Sequence, residues 1–428
     1  MRQQIVRLHS PLPLATGRAM TAYRSDLLRL LDERGYIHQA TDAEGLDALA
    51  ASQIISGYVG FDATAPSLHV GSLVQIMLLR RLQQAGHKPV VLMGGGTTRI
   101  GDPTGRDESR KMLTDEAIAA NIDGILKPFE RLLVFGDGAT DAVMFNNHDW
   151  LGKLGYIELL QEVGTHFTVN RMLTFDSVRL RLEREQPMTF LEFNYMILQG
   201  YDFRHLSQEM GVRLQMGGSD QWGNIVNGVE LGRRMDGAAL YGLTTPLLTT
   251  ADGAKMGKTA AGAVWLNEDQ LPAYDFWQFW RNVDDRDVGR FLRLFTDLPL
   301  DEIARLEALR GAEINAAKIA LANAVTALVR GEEAARSAEA TASATFAQGG
   351  AGDDLPTLDM PSEGMRIASV LTNLGFAASG AEAKRKIAEG AVRLDDEVVS
   401  DLATIIVLST GETVKVSLGR KKHGILRG

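Results

Sequence analysis

The stretch Tyr58-Val59-Gly60-Phe61-Asp62-Ala63-Thr64, which leads into Ser67-Leu68-His69-Val70-Gly71-Ser72, decides the fold. A short β-rich run turns there through a loop containing Gly and Pro into a segment with helical apolar periodicity. The free N–H groups and the dipole at a helix N-terminus favour anions, and doubly wound α/β domains hold nucleotide phosphates at such turns. The stretch therefore predicts a nucleotide site on a parallel sheet.

Outward from this stretch, strand-like runs alternate with helical-period segments from Ser56 to about Leu266. The runs are Ile54–Val59, Pro89–Met93, Ala142–Asn146, Val212–Met216 and Thr244–Leu248. Such alternation predicts a mainly parallel sheet with helices on both faces and ligands beyond the carboxyl ends of the strands. From Leu271 to about Ala347 the chain is Ala- and Leu-rich with helical periodicity throughout.

Composition excludes several classes of protein. The 428 residues include no cysteine, which removes disulfides, thiolate nucleophiles and cysteine-bound zinc, and a cytoplasmic location fits. We expect no membrane partner, because no apolar window appears long enough to cross a bilayer. With a net charge of −9, the chain lacks the positive field of a general nucleic-acid binder. Any contact with RNA must therefore be made by a local group of basic residues.

Two further motifs follow in order, Gly217-Gly218-Ser219-Asp220-Gln221-Trp222-Gly223 and Lys255-Met256-Gly257-Lys258-Thr259. With the first stretch, their order and spacing resemble bacterial-type tyrosyl-tRNA synthetases, which are class I aminoacyl-tRNA synthetases. The resemblance runs from about Ser25 to His423. It implies a Rossmann-like catalytic domain that joins L-tyrosine to ATP, with Mg²⁺ carried on the ATP phosphates, and transfers the tyrosine to the 3'-terminal adenosine of tRNA(Tyr). It also implies a homodimer.

The same resemblance implies roles for individual residues. Tyrosine would be bound by Tyr58, Thr97, Asp102, Asn147, Tyr195, Gln199, Asp202 and Gln221. ATP would be bound by Gly60, Asp62, His69, Gly71, Ser72, Gly218, Asp220 and Lys258. Charge on the phosphates would be neutralised by the catalytic residues Thr64, His69, Arg106, Arg110, Lys255 and Lys258.

Physical reasoning supports the tyrosine set. Tyr195, Gln199 and Asp202 fall at i, i+4 and i+7 of a predicted helix, so they form a polar stripe that either faces solvent or lines a pocket. An ionised Asp202 only accepts hydrogen bonds, whereas the Tyr58 hydroxyl also donates. Together they would satisfy a phenol and be left unpaired by phenylalanine. Tyrosyl-tRNA synthetase is itself the standard example of such discrimination without editing.

The last segment resembles an S4-type RNA-binding module. Ser379-Gly380-Ala381-Glu382 is a suitable helix start, and the strand–turn run 391–399 follows it. The alternative is a small α/β domain with ordinary solvated charges. The resemblance assigns RNA binding to Arg366, Lys384, Arg385, Lys386, Arg420, Lys421 and Lys422.

Five parts are expected along the chain: a disordered N-terminal extension at 1–20, the catalytic domain at 21–270, a helical anticodon-arm domain at 271–348, a linker at 349–362 and the S4-like α+β domain at 363–428. The arginines and lack of acids in 1–20 weakly resemble a transit peptide, and the alternative is an upstream extension before Met20. Glycines and prolines favour an exposed, flexible linker.

Two departures from the usual class I motifs are present. Ser72 stands where a second histidine is more typical, and Gly257 and Thr259 stand where serines are common. Neither removes a cation, so we expect an effect on rates rather than on identity. Two rival functions remain open at this stage. Tryptophan activation is disfavoured by Tyr58 and Asp202, and an RNA-binding protein that has lost catalysis is disfavoured by the intact lysine motif.

Overall fold

A computed structural model describes residues 23–104, 112–253, 256–259, 262–347, 355–395, 397–419 and 422–428. The expected extension at 1–20 and residues 349–354 of the expected linker lie outside these ranges. So do Arg106, Arg110, Lys255, Arg420 and Lys421, and the side chain of Lys258 is likewise outside the description.

The catalytic region contains one six-stranded sheet with its helices. The strands are β1 (Gln39–Ala40), β2 (Ser56–Phe61), β3 (Lys88–Met93), β4 (Val143–Asn146), β5 (Val212–Gly218) and β6 (Tyr241–Thr245). The helices are α1 (Asp26–Glu33), α2 (Ala43–Ser52), α3 (Val70–Gln84), α4 (Asp115–Leu132), α5 (His148–Leu151), α6 (Tyr156–Glu158), α7 (Val169–Met172), α8 (Asp176–Glu183), α9 (Phe190–Phe193), α10 (Tyr195–Met210) and α11 (Trp222–Asp236). A two-stranded hairpin, β7 (Lys258–Thr259) and β8 (Gly262–Ala263), follows.

The strand order is β1-β6-β5-β2-β3-β4, and every pair except β1 with β6 is parallel. The chain runs outward from β2 through β3 to β4 and then returns to build β5 and β6 on the other side. The strand order therefore reverses between β2 and β5. In doubly wound sheets the ligand crevice lies at this reversal, beyond the carboxyl ends of the strands.

The predicted mainly parallel sheet is confirmed, with one strand misplaced. Residues expected as a strand at Thr244–Leu248 form one at Tyr241–Thr245 instead. Pro246 follows directly, and because proline has no N–H it cannot continue the pairing. The short antiparallel edge strand β1 was not expected either, since two residues carry no detectable period.

Both faces of the sheet are covered by helices, as the sequence predicted. Alternate residues of β2 and β3 point to opposite sides. Val59 and Met93 join the main apolar cluster with α1, α3 and α4, whereas Tyr58 and Leu92 pack with Phe203 of α10 on the other side. This alternation places the Tyr58 side chain on the α10 side of the sheet.

The helical region consists of α12 (Ala273–Arg281), α13 (Val288–Phe295), α14 (Leu300–Glu307), α15 (Ile314–Arg330) and α16 (Glu332–Ala347). Its apolar residues join the same cluster as the sheet, with Trp280 fully buried among them. The stretch Gly311–Arg330 is long and apolar enough to cross a membrane by length and composition, so the expectation that no window reaches this limit is wrong. In this fold Leu321 and Val325 of that stretch are buried core residues.

The C-terminal part folds around its own apolar cluster. Its elements are β9 (Thr357–Asp359), β10 (Met365–Arg366), α17 (Ile367–Asn373), α18 (Gly380–Ala388), β11 (Val392–Leu394), β12 (Glu397–Val399), β13 (Ile405–Ile406), β14 (Thr413–Leu418) and β15 (Lys422–Arg427). The larger sheet has the order β12-β11-β14-β15-β9. The Ser379 hydroxyl accepts from the Glu382 N–H at 3.2 Å, which confirms the predicted start of α18.

Candidate active site

Two adjoining cavities open where the strand order reverses. The smaller has a volume of about 190 Å³ and the larger about 510 Å³. They share wall residues from the ends of β2 and β5 and from α3, namely Gly60, Phe61, Asp62, Gln75, Gly218 and Gln221. The strand ends predicted from the sequence as a ligand site therefore do line two cavities.

The smaller cavity is lined by every residue that the sequence assigned to tyrosine: Tyr58, Thr97, Asp102, Asn147, Tyr195, Gln199, Asp202 and Gln221. Because α10 begins at Tyr195, the i, i+4, i+7 stripe lies on one face of a real helix. That stripe faces the cavity rather than solvent. The structure thus decides between the two interpretations that the pattern alone left open.

Asp202 lies at the buried end of this cavity and is 1% exposed. Its Oδ2 accepts from Asn147 Nδ2 at 2.9 Å, and its Oδ1 accepts from Trp150 Nε1 at 2.7 Å. Burial raises the pKa of Asp202 to about 7, against the opposing effect of these two donors. Near neutral pH the group is therefore poised between a carboxylate and a carboxylic acid.

Beside it, the Tyr58 hydroxyl is buried and has no hydrogen-bond partner within the described structure. Burial and the Asp202 charge raise the pKa of Tyr58 well above its ordinary value, so the phenol stays protonated and able to donate. The buried Oε1 atoms of Gln75, Gln199 and Gln215, which line the same cavity, are in the same unpartnered state. Each such atom costs about 1–3 kcal/mol when left unsatisfied. Four of them around one cavity indicate a polar ligand.

The other end of the cavity is negatively charged. Asp62 Oδ1 accepts from Thr97 Oγ1 at 2.8 Å, and its Oδ2 accepts from the Tyr195 hydroxyl at 3.2 Å. Asp102 Oδ2 accepts from Gln221 Nε2 at 3.0 Å. Two carboxylates at the mouth of a pocket favour a cation such as an ammonium group. Asp62, assigned to ATP from the sequence, therefore also contacts two residues of the tyrosine set.

Asn147 connects the two ends of the cavity. Its Oδ1 accepts from the Gly96 N–H at 2.7 Å, and its Nδ2 donates both to Thr97 Oγ1 at 3.1 Å and to Asp202. The glycine-rich loop lies close to the side chains around it: a Cβ at Gly94 would lie 2.3 Å from Asp62 Oδ1, and one at Gly96 would lie 3.1 Å from Asn147 Oδ1. The residues after β3 are thus glycines for reasons of space.

The larger cavity is lined by the described residues that the sequence assigned to ATP and its phosphates: Gly60, Asp62, Thr64, His69, Gly71, Ser72, Gly218 and Asp220. The free N–H groups expected at the start of α3 are not observed, because those of Val70, Gly71 and Ser72 donate to the Val264 carbonyl, to His69 Nδ1 and to the His69 carbonyl. In the part of the chain that the structure describes, no group of three or more His, Asp or Glu side chains could hold a metal ion.

His69 caps α3. Its Nδ1 accepts from the Gly71 N–H at 3.0 Å, which places the proton of a neutral ring on Nε2. A Cβ at Gly71 would lie 2.7 Å from His69 Cε1 and 2.8 Å from the Met256 carbonyl. Packing of the chain on itself therefore already demands glycine at this position.

Close packing also requires a glycine at Gly257. Its φ is +96°, a conformation that side chains rarely adopt, and a Cβ there would lie 2.8 Å from His69 Nδ1. The serine that is common at this point of the motif would be strained in this fold. The departure noted in the sequence is therefore a requirement for packing the lysine motif against the histidine turn.

Three site residues were missed from the sequence: Trp150, Gln75 and Gln215. Gln215 gave a usable signal, because it is a polar residue inside the buried strand β5. Trp150 and Gln75 gave none, since a tryptophan in a short helix and a glutamine in an amphipathic helix are ordinary. Their roles depend on contacts between distant parts of the chain.

The basic residues assigned to RNA binding differ in their exposure and in their contacts. Arg366, Lys384 and Arg385 are exposed. Lys386 Nζ pairs with Glu389 at 2.9 Å, and Lys422 Nζ donates to the Phe376 carbonyl at 2.7 Å. Lys422 is therefore partly engaged in holding its own domain together.

Comparison with known proteins agrees with this site. The family of class I tRNA synthetases for tryptophan and tyrosine matches residues 52–347, and the S4 domain matches residues 365–410. A tyrosine–tRNA ligase of Novosphingobium aromaticivorans is 70% identical over 408 residues, which cover 95% of this chain and 100% of that protein. One from Rhodospirillum rubrum is 63% identical over 414 residues, covering 95% and 99%.

Among solved structures, the C-terminally truncated mitochondrial tyrosyl-tRNA synthetase of Aspergillus nidulans is 30% identical. It superposes with a TM-score of 0.68 over 75% of this chain and 94% of that one. Both the identity and the near-complete coverage favour tyrosine over tryptophan enzymes. The chain belongs to the class I tRNA synthetases and, within them, to the tyrosyl-tRNA synthetase family.

Proposed function

We propose that the two cavities are where this tyrosine–tRNA ligase joins L-tyrosine to ATP, before it transfers the tyrosine to the 3'-terminal adenosine of tRNA(Tyr). The observation that carries the proposal is the buried pair at the end of the smaller cavity, where the unpartnered Tyr58 hydroxyl lies beside Asp202. Such a pair suits a ligand group that both donates and accepts a hydrogen bond. A phenol is such a group.

In this proposal the substrate phenol donates to Asp202 and accepts from Tyr58. The ammonium group lies at the acidic end near Asp102 and Asp62, within reach of Thr97, Tyr195 and Gln199. Its position is supported by the two carboxylates there and by the unpartnered Gln199 Oε1, which accepts hydrogen bonds only. The tyrosine carboxylate then points toward the shared wall and the larger cavity.

The first step is an in-line attack of that carboxylate on the α-phosphorus of ATP, with pyrophosphate leaving. Such a step needs positioning and neutralised charge more than a base. His69 Nε2–H and the Thr64 hydroxyl are the donors toward the phosphates, and Lys255, Lys258, Arg106 and Arg110 supply positive charge. Mg²⁺ enters as part of the ATP substrate. Gly60, Gly71, Ser72, Gly218, Asp220 and Gln221 hold adenosine and the reacting groups.

The rest of the chain serves the RNA. We assign residues 21–270 to catalysis, 271–348 to a helical anticodon-arm domain, 349–354 to a linker and 355–428 to the S4-type domain, with the enzyme in the cytoplasm. The linker expected at 349–362 is shortened because β9 pairs with β15 in the sheet of that domain. The exposed Arg366, Lys384 and Arg385 support RNA binding by the last of these. Lys386 and Lys422 join them by exchanging their protein partners for phosphate.

The proposal includes a homodimer. Exposed large apolar side chains within residues 156–191 support it, because exposed apolar surface often marks an interface. They are Tyr156, Ile157, Leu160, Val169, Leu173, Leu180, Leu182, Phe190 and Leu191. Phe190, which is 66% exposed, is a suitable probe. Phe190→Asp should give monomers in sedimentation velocity, and an unchanged dimer would place the interface elsewhere.

Amino-acid-dependent exchange of pyrophosphate into ATP tests the function. Each of the twenty amino acids is supplied separately to the full chain. Exchange with tyrosine alone supports the proposal, and exchange with tryptophan would favour the related activity on the same fold. No exchange with any amino acid, together with retained tRNA binding, would identify an RNA-binding protein that has lost catalysis.

A further inference from the structure

Two segments that flank the lysine motif form walls of the larger cavity. Pro246–Leu248 forms one wall and Ala263–Trp265 the other. The second wall runs beside the histidine turn, because the Val70 N–H donates to the Val264 carbonyl at 2.9 Å and the Leu266 N–H donates to the Leu68 carbonyl at 2.8 Å. The placement of these two walls therefore sets the width of the cavity around His69.

The first wall is attached to the helical region by Asp287, directly before α13. This carboxylate is only 4% exposed. Its Oδ2 accepts from the Ala251 N–H at 2.8 Å, and its Oδ1 accepts from Arg290 at 2.7 Å. Arg290 in turn donates to the Thr249 carbonyl. A buried carboxylate thus fixes the backbone that continues directly from Leu248.

The second wall is attached by Arg330, the last residue of α15. Its Nη2 donates to the carbonyls of Trp265 at 3.2 Å and Leu271 at 2.9 Å, and its guanidinium lies 4.9 Å from the centre of the Phe276 ring. The side chain is 6% exposed, and its Nε and Nη1 have no partner among the described residues. Burying a cation so incompletely paired is unfavourable. Its hydrogen bonds to the Trp265 and Leu271 carbonyls hold the backbone of the second wall.

We propose that Asp287 and Arg330 are positioning residues that hold the two walls of the larger cavity from the helical region. The inference rests on the proposed ATP site, and neither residue contacts the smaller cavity. Loss of either side chain should therefore weaken ATP binding and leave tyrosine binding unchanged. It follows that a movement of α13 or α15, such as RNA contact with the helical region would produce, reaches the ATP site through these two side chains.

The test compares Asp287→Asn and Arg330→Met with two controls from the same region. Asp301→Asn and Arg305→Met remove the same charges at exposed sites, where Arg305 pairs only with the neighbouring Glu302 within the described structure. Pyrophosphate-exchange kinetics give the KM values for ATP and tyrosine separately. We expect the KM for ATP to rise about tenfold in the anchor variants, the effect of one lost charge-assisted hydrogen bond. The KM for tyrosine and both controls should change less than about twofold.

Amide hydrogen–deuterium exchange supplies a second measurement that does not depend on activity. Asp287→Asn should speed deuterium uptake in residues 246–251, and Arg330→Met should do so in 264–271, with 58–66 unchanged. Arg330→Lys, which keeps a donor and the charge, should restore much of both properties. An equal rise of both KM values, or unchanged uptake in the wall segments, would overturn the positioning roles. A wild type inactive with tyrosine would instead overturn the proposed function, and deuterium uptake alone would then decide the anchoring.

Discussion

Removing the hydroxyl of Tyr58 tests the substrate assignment directly. The hydroxyl is buried without a partner in the described chain, so in the proposed complex its one neutral hydrogen bond goes to the substrate phenol. Such a bond is worth about 0.5–1.5 kcal/mol. Tyr58→Phe should therefore lower kcat/KM for tyrosine by about two- to tenfold. With phenylalanine the same change should be neutral or favourable, because the wild type leaves this hydroxyl unsatisfied beside that substrate.

Replacing Asp202 should lower kcat/KM for tyrosine more than replacing Tyr58 does. A hydrogen bond to a charged group is worth about 1.5–3 kcal/mol, so Asp202→Ala should cost at least about ten- to 150-fold in kcat/KM for tyrosine. The loss includes a further penalty. Asn147 and Trp150 would lose their acceptor in a buried site, and their donors would then be unsatisfied. Asp202→Asn, which keeps the shape, separates the loss of charge from the loss of volume.

The quantity to measure is the tyrosine-over-phenylalanine ratio of kcat/KM in pyrophosphate exchange. It should narrow in Tyr58→Phe by at least the factor lost with tyrosine. Tyr201→Phe is the matched control, because Tyr201 lies on the same helix but outside the cavity and only partly buried. A ratio that stays constant in Tyr58→Phe, or that changes equally in the control, would refute this arrangement of the pocket.

Three further predictions concern the lysine motif, the C-terminal part and pH. Lys258→Ala should depress the activation rate while the KM for tyrosine stays nearly constant, and weakened tyrosine binding at a normal rate would contradict its role on pyrophosphate. Ending the chain near Gly352 should spare pyrophosphate exchange and strongly weaken aminoacylation, and a parallel loss of both would show the domain assignment to be wrong. Because burial raises the pKa of Asp202 to about 7, the KM for tyrosine should fall as pH rises through 7, and Asp202→Asn should flatten that profile.

The same pKa has a consequence for stability. The folded chain holds the Asp202 proton to a higher pH than the unfolded chain, whose carboxyl has its ordinary value of 3.8. Between these two values the folded state binds more protons, so this group lowers the free energy of unfolding as pH rises from about 4 to about 7. Bound tyrosine should offset that loss by donating to the carboxylate. Thermal unfolding with and without tyrosine at both pH values measures the difference.

The sequence predicted those parts of the fold that depend on local period. The strands β2, β3, β4 and β5 lie within about two residues of their predicted ends, and α10 carries the predicted stripe. The predicted bounds of β6 were wrong because an apolar run continues past Pro246. The periodicity of that run does not show that Pro246 lacks the N–H needed for strand pairing. Asp62 was assigned to one cavity and serves both, since no spacing reveals which side of a shared wall a carboxylate contacts.

Other features could not be predicted because they join distant residues. Asp287 and Arg330 read as ordinary charges in helical segments, and their burial against residues 251 and 265 follows only from the fold. The same holds for the close packing of Gly257 on His69, which the sequence showed only as a departure from a motif. Each of these contacts joins residues that are far apart in the sequence and close together in the fold. Periodicity carries no information about such pairs.

The eight residues assigned to tyrosine from the sequence all line the smaller cavity, whereas Gln75 and Gln215 of its wall and the physical state of the site were not predicted. Most buried polar atoms in protein interiors are paired, and leaving one unpaired costs free energy. Around this cavity Tyr58, Gln199 and Gln215 each keep a buried atom unpartnered within the described structure, and burial raises the pKa of Asp202 to about 7. A polar ligand bound there would relieve these unfavourable features. In the proposed complex the cavity would select tyrosine for the same reason, because a ligand with a hydroxyl at that end removes this cost.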